Sequence, residues 1–250
     1  MTAYDGAYYD TFRQQSFDAG VKLLSHLKSH HPFRSVVDIG CGAGTWILAA
    51  KSIIELSGEK PDLLGIDGEY GQSIVDLSTA HFMFLDLENR VHLPQKFDLA
   101  ICLEVAEHLS RDRASTLVED LCAASDTVFF SAAIPGQGGA NHINEQWQDY
   151  WHSLFSEQGF FAVDFFKQKF WNDTTFSQCP YYVANSFVYV QTESTLLNAG
   201  YPIIPKGHWS LKVAHPSLFY SNHFETASFP KTVKSIPRKL SSALARRVPR

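Results

Sequence analysis

Val36-Val37-Asp38-Ile39-Gly40-Cys41-Gly42-Ala43-Gly44-Thr45 constrains this chain more than any other stretch. A short apolar, β-branched run feeds a turn with glycine at every second position. The turn leads into an apolar-periodic segment that starts at Thr45. A strand, a glycine turn and a helix in that order form the opening unit of a parallel sheet. Gly40 and Gly42 lack a Cβ, so positive φ is open to them and a ligand can approach their backbone closely. The spacing is G-x-G-x-G with an acid, Asp38, two residues upstream, and not the pyrophosphate fingerprint G-x-G-x-x-G. A second apolar run, Leu63-Leu64-Gly65-Ile66-Asp67, also ends in an acid. A glycine turn followed by an acid after the next strand suits a ribose-bearing cofactor.

The rest of the chain repeats this alternation. Gln14 to Lys28 places Phe17, Val21, Leu24 and Leu27 on one helical stripe. The pattern predicts strands over 35–40, 62–67, 81–86, 97–104 and 127–132, with helices over 45–57, 71–78 and 110–124. A further helix is expected from Asn144, as a cap, to Gln158, closed by Gly159. Two apolar runs, 160–166 and 186–191, follow. Strands alternating with helices imply a parallel sheet covered on both faces. The link from Lys167 to Asn185 is long and carries Phe170, Trp171, Phe176, Tyr181 and Tyr182. Loops of that length inside a domain are often functional.

A chain of 250 residues, 45% of them hydrophobic, has enough apolar surface for one α/β domain with additions. No apolar run approaches the ~20 residues needed to span a bilayer, and the polar N-terminus lacks a signal-peptide pattern. Cys41, Cys102, Cys122 and Cys179 show no metal or redox spacing. A cytoplasmic location is the expectation from both points. The net charge of −5 is unevenly spread, because residues 231–250 hold seven basic residues and no acid. The other 230 residues carry 14 basic and 26 acidic side chains, a poor match for a long nucleic acid. In the tail, Ile236, Leu240, Leu244 and Val248 recur every fourth residue beside Arg238, Lys239, Arg246 and Arg247. Wound as a helix, that tail would present an apolar stripe and a basic face to a membrane surface or partner enzyme.

Over roughly residues 15–192 the chain resembles the class I S-adenosylmethionine-dependent methyltransferases. Four segments carry the resemblance in order: Val36–Gly44, Leu63–Asp67, Phe84-Leu85-Asp86-Leu87, and Phe97 to Leu109. It implies a Rossmann-like, seven-stranded, mostly parallel sheet with the last strand antiparallel, and an N-terminal helix covering the active site. The methyltransferase domain would span 1–192, and 193–250 would wrap it as an extension. The resemblance also implies a cofactor site. Asp38, Gly40, Cys41, Gly42 and Gly44 would face the methionine half of S-adenosylmethionine. Asp67 would bind the ribose, Asp86 and Leu87 the adenine, and Glu104 would lie near the cofactor.

Glu104-x-x-Glu107-His108 sits at the carboxyl end of the fourth strand, and His142 follows the fifth. If a helix began near Glu104, the three residues at i, i+3 and i+4 would share one face. Two carboxylates and two imidazoles are a donor set for one divalent ion, Mg²⁺ or another. The motif resembles that of metal-dependent O-methyltransferases acting on small-RNA 3′-terminal ribose and in ubiquinone biosynthesis. It also occurs without a metal. In that case Glu107 complements a helix N-terminus, His108 packs, and His142 in its polar loop is the base.

His142-x-Asn144-Glu145-Gln146-Trp147-x-x-Tyr150-Trp151 is similar to a bacterial methyltransferase subgroup associated with glycan or secondary-metabolite assembly. Trp147, Tyr150, Trp171 and Tyr181 are candidate substrate contacts. Trp151 and Phe155 are expected in the core. The leading expectation is O-methylation of a small hydroxylated acceptor. RNA 3′-terminal 2′-O-methylation, N- or C-methylation, and a non-catalytic binding module are the alternatives.

Overall fold

The computed structural model describes residues 6–68, 81–191 and 194–218. The helix expected over 71–78 and the basic tail over 231–250 lie outside the described residues. Seven strands form one sheet: β1 (Ser35–Ile39), β2 (Asp62–Asp67), β3 (His81–Phe84), β4 (Leu99–Leu103), β5 (Thr127–Ser131), β6 (Phe161–Val163) and β7 (Phe187–Val190). Their order is β3-β2-β1-β4-β5-β7-β6. β1 to β5 pair in parallel, and β7 runs antiparallel to both β5 and β6. This is the sheet expected from the sequence, including the reversed last strand. β1 and β4 meet at its centre, where the strand order changes direction, and α/β sheets bind ligands at such a point.

The central strands β4, β5 and β7 are buried along their whole length because both faces are covered. Val36 belongs to one core and Val37 to the other, as the two-residue side-chain period requires. The first core packs α1 (Gly6–Lys28) and α2 (Thr45–Leu56) on the sheet. Leu24 and Leu27 of the predicted stripe are fully buried there, and Phe17 and Val21 pack at its margin. Burial of each leucine contributes about 1.5–3 kcal/mol. The second core packs α3 (Arg113–Ala124) and α4 (Gln148–Glu157), with Trp151 and Phe155 buried as expected.

Several boundaries differ from the sequence reading. β6 stops at Val163 because Phe165 and Phe166 turn into the first core ahead of α5 (Lys167–Phe170). The 167–185 link is not a bare loop. It holds α5, a 3-10 turn at Thr174–Phe176 and α6 (Tyr181–Ala184). Asn144 does not cap α4. Trp147 occupies that position without a side-chain cap, and the Asn144 Oδ1 accepts from Gln146.

Residues 194–218 continue onto the sheet end. Ile203 bridges Val163, and the Ile204 N–H donates to the Ala162 carbonyl. Gln148 Nε2 donates to the Val213 carbonyl. No helix of the described residues is long and apolar enough to cross a membrane.

A buried ion pair ties α3 to the chain after β3. Arg113 Nη2 lies 2.5 Å from Asp120 Oδ2, and Arg113 Nε donates to the Leu87 carbonyl. Asp120 also accepts from the Val91 N–H and from Arg90 Nε. Asp120→Ala leaves Arg113 buried without its counter-charge. The expected cost is about 3–5 kcal/mol, read as a lower denaturant midpoint with an unchanged slope.

Candidate active site

The glycine turn after β1 closes over the end of β2. The Gly40 and Cys41 N–H groups both donate to the Ile66 carbonyl. The Gly42 N–H donates to Asp67 Oδ2 at 2.6 Å, and the Gly68 N–H to Asp67 Oδ1 at 2.7 Å. These bonds hold the Asp67 carboxylate at the edge of a cavity of about 940 Å³. Gly42 has φ +51, and a Cβ placed there would meet nothing within 4 Å. The turn thus presents bare backbone to the cavity.

Gly40, Gly42, Asp67, Asp86, Leu87 and Glu104 all line this cavity. Asp38, Cys41 and Gly44 do not. Asp38 lies beneath the turn, and burial, then the Asp67 charge, pushes its carboxyl well above the usual range. Cys41 turns into the first core, where its thiol faces Gly65. Gly44 is the left-handed residue that starts α2.

The constellation after β4 differs from the expected helical face. Glu104 is not helical. It has φ +54, its N–H donates to Ser131, and only a 3-10 turn, Ala106–His108, follows. Its side chain therefore parts from Glu107 and His108. Gln137 Nε2 donates to Glu104 Oε2 at 2.8 Å, and Asn185 Nδ2 donates to Oε1 at 3.3 Å. Burial raises the Glu104 carboxyl, and these amide donors oppose that rise.

Glu107, His108 and His142 do converge. One ligand atom from each lies within 4.8 Å of the others. Glu104 is not in that group. The two imidazoles meet edge to face at 4.8 Å, and His142 Nε2 lies 4.0 Å from Glu107 Oε1. Glu107 is fully buried, no side chain hydrogen-bonds its carboxylate, and its own and the Ala133 backbone N–H groups favour its charged form. Burial first, and the Glu104 charge second, push Glu107 up to about 9 from an ordinary value near 4.5. The folded chain therefore keeps a proton that the unfolded chain releases. That stabilisation is full below about pH 4.5 and is lost as pH rises through about 9. Stability of the metal-free protein should fall across that window. Glu107→Gln should flatten this part of the profile, as measured by denaturant titration at several pH values.

His142 is held from behind. Its Nδ1 lies 2.9 Å from Glu145 Oε1, and Glu145 also accepts from the Gly136 and Gly138 N–H groups at 2.8 and 2.7 Å. Those bonds outweigh burial and keep the Glu145 carboxyl below its usual range. Sequence reasoning missed Glu145, Gln137 and Asn185. For Glu145, its position three residues after His142 in a glycine-rich loop was the available signal. Asn185 gave none.

None of the four aromatic candidates is among the described residues that line the cavity, and three of them make ring contacts elsewhere. Tyr150 stands edge-on to Trp151, and Trp147 starts α4. Trp171 packs on His215. Tyr181 packs on Tyr182, and burial, Tyr182 and Glu104 all raise its phenol.

No protein-family profile matches the chain, and no curated protein matches it in sequence. Solved structures do match. Magnesium protoporphyrin IX methyltransferase (ChlM) from Synechocystis PCC 6803, with bound S-adenosylhomocysteine, superposes with a TM-score of 0.50 at 19% identity. That match covers 77% of this chain and 90% of ChlM. CalS10 with bound S-adenosylmethionine is an amino pentose methyltransferase of Micromonospora echinaspora calicheamicin biosynthesis. It gives a TM-score of 0.53 at 13% identity, over 77% of this chain and 99% of its own. Streptomyces venezuelae DesVI gives 0.52 at 15%, over 76% and 99%. This chain has the class I methyltransferase fold. Its cavity lies at the carboxyl edge of that fold, between the glycine turn and the end of β4.

Proposed function

We propose that the chain is an S-adenosylmethionine-dependent O-methyltransferase acting on a hydroxyl of a small acceptor, a saccharide or natural-product intermediate. One juxtaposition carries this reading. A cavity floored by the bare glycine turn and Asp67 opens at its other end onto Glu104 and His108, beside His142. The bound cofactors of ChlM and CalS10 favour the same cofactor for this cavity.

Charge supports it. The lining includes Asp67, Asp86, Glu88 and Glu104 and, among the described residues, neither lysine nor arginine. Such a wall favours a cationic sulfonium and disfavours a polyanion, so the RNA 3′-end reading ranks below a small neutral acceptor.

S-adenosylmethionine supplies, when bound, a methyl group open to in-line displacement. The protein's part is to bind, align and deprotonate. The Gly40–Gly42 backbone admits the ligand closely. In this reading Asp67, anchored by two N–H groups, would accept from ribose hydroxyls, and Asp86, on the same cavity wall, from the adenine amine. Asp67→Ala should weaken cofactor binding by about 1–3 kcal/mol, measured by calorimetry. His142, with Nδ1 against Glu145, keeps Nε2 free to take the acceptor's proton.

Glu107, His108 and His142 also fit a divalent cation. They offer one carboxylate and two imidazoles whose ligand atoms lie within 4.8 Å of one another, and no side chain hydrogen-bonds the buried Glu107 oxygens. That donor set suits a first-row cation such as Mn²⁺ or Zn²⁺ better than Mg²⁺. A cation held there would lower the pKa of an acceptor hydroxyl.

Calorimetry with S-adenosylhomocysteine, then transfer of labelled methyl to neutral sugars, polyols and catechols, tests the proposal. Binding and transfer are expected. A chain that binds no S-adenosylhomocysteine ends this reading. Activity that survives excess chelator assigns His142 to the metal-free role.

A further inference from the structure

We propose that Glu145 is the positioning residue of this site, a clasp that fixes the His142 ring and the loop around it as one unit. The inference rests on the proposed reaction only in treating His142 as its base or ligand. The Glu145 carboxylate spends both oxygens inside the loop. One accepts from His142 Nδ1 and the Gly138 N–H, the other from the Gly136 N–H. A carboxylate oxygen facing Nδ1 requires the proton there, which leaves the Nε2 lone pair on the side of Glu107 and His108.

The loop is built around that ring. A Cβ on Gly139 would lie 2.2 Å from His142 Nε2, so the glycine makes room for the imidazole. The loop's far end is tied down too, because the Ile143 and Asn144 N–H groups both donate to the Glu107 carbonyl. Between these anchors, Ala140 and Asn141 form part of the cavity wall, and Asn141 has φ +61. Within the same loop, Gln137 grips Glu104. Glu145 thus connects the histidine, the cavity wall and Glu104 through one side chain. A change in cavity occupancy that moves Asn141 must move His142 with it.

NMR of the His142 ring nitrogens tests this without turnover, with His142→Gln supplying the assignment. The native protein should show the Nδ1–H tautomer with an exchange-protected Nδ1 proton. Glu145→Leu should lose that protection and populate the Nε2–H form. Glu145→Gln, whose amide oxygen still accepts, should retain the native tautomer. Adding S-adenosylhomocysteine should shift the ring signals in the native chain and not in Glu145→Leu. An Nε2–H tautomer in the native protein overturns the proposal, and that measurement needs no variant to fold. Native ring shifts in a folded Glu145→Leu chain overturn it equally. If the native chain binds no S-adenosylhomocysteine, the methyltransferase reading fails, and the tautomer result still decides the role of Glu145.

Discussion

Gly42→Val should abolish binding of S-adenosylmethionine and S-adenosylhomocysteine while leaving the sheet folded. Gly42 has φ +51, where a β-branched residue is strained, so some stability is lost, about 1–2 kcal/mol. No protein atom stands within 4 Å of the new Cβ, so the core is untouched and the branched side chain projects into the cavity. Gly58→Val separates the two effects. Gly58 also has positive φ, +75, with open space around it, but lies beyond the end of α2. It should cost comparable stability and leave calorimetric binding unchanged. Normal binding by Gly42→Val would remove the glycine turn from the cofactor site.

His142→Ala should lower methyl transfer by about 10²–10⁴, the usual contribution of a positioned acid–base group. Cofactor affinity should change little, because the Asp67 anchors and the glycine turn belong to other strands. The loss belongs in kcat. Gly139→Ala should give part of the same loss without touching the imidazole chemically, since its methyl would displace the ring. Full kcat in His142→Ala, measured on an acceptor that the native chain methylates, would remove His142 from the reaction.

The parts of the fold that the sequence disclosed are those set by local chemistry. Val36–Gly44 announces a strand and turn because glycine spacing and β-branching act over a few residues, and Asp67 was found by its distance from them. The central strands followed from apolar runs that are buried on both faces, and the edge strand β3 from a shorter run that is half-exposed. The arrangement after β4 was not legible in the same way. Glu104-x-x-Glu107-His108 suggests a helical face, yet Ser131, Gln137 and Asn185 hold Glu104 in a left-handed conformation away from that face. Those partners lie 27, 33 and 81 residues away in the chain. No periodicity reports a bond across such distances. The aromatic residues were hard to sort for a related reason, because ring-rich segments look alike whether they line a cavity or pack a core.

The reversal of β7 bears on how small a working unit could be. Phe187 pairs with Phe130 near the carboxyl end of β5, and Val190 with Thr127 at its start. The residues just before β7 are thereby carried to the edge where β4 ends, and Asn185 reaches Glu104 there. Lys167 secures the approach through its bond to the Ser186 carbonyl. The final strand pair is therefore not a removable border of the sheet. A chain cut after β5 would keep the glycine turn, Asp67 and Glu104 and lose both amides that hold Glu104, Gln137 and Asn185. A shuffled or minimised version of this chain has to carry the sequence through β7, and a graft of the first five strands onto another sheet would bring the cavity floor without a finished wall.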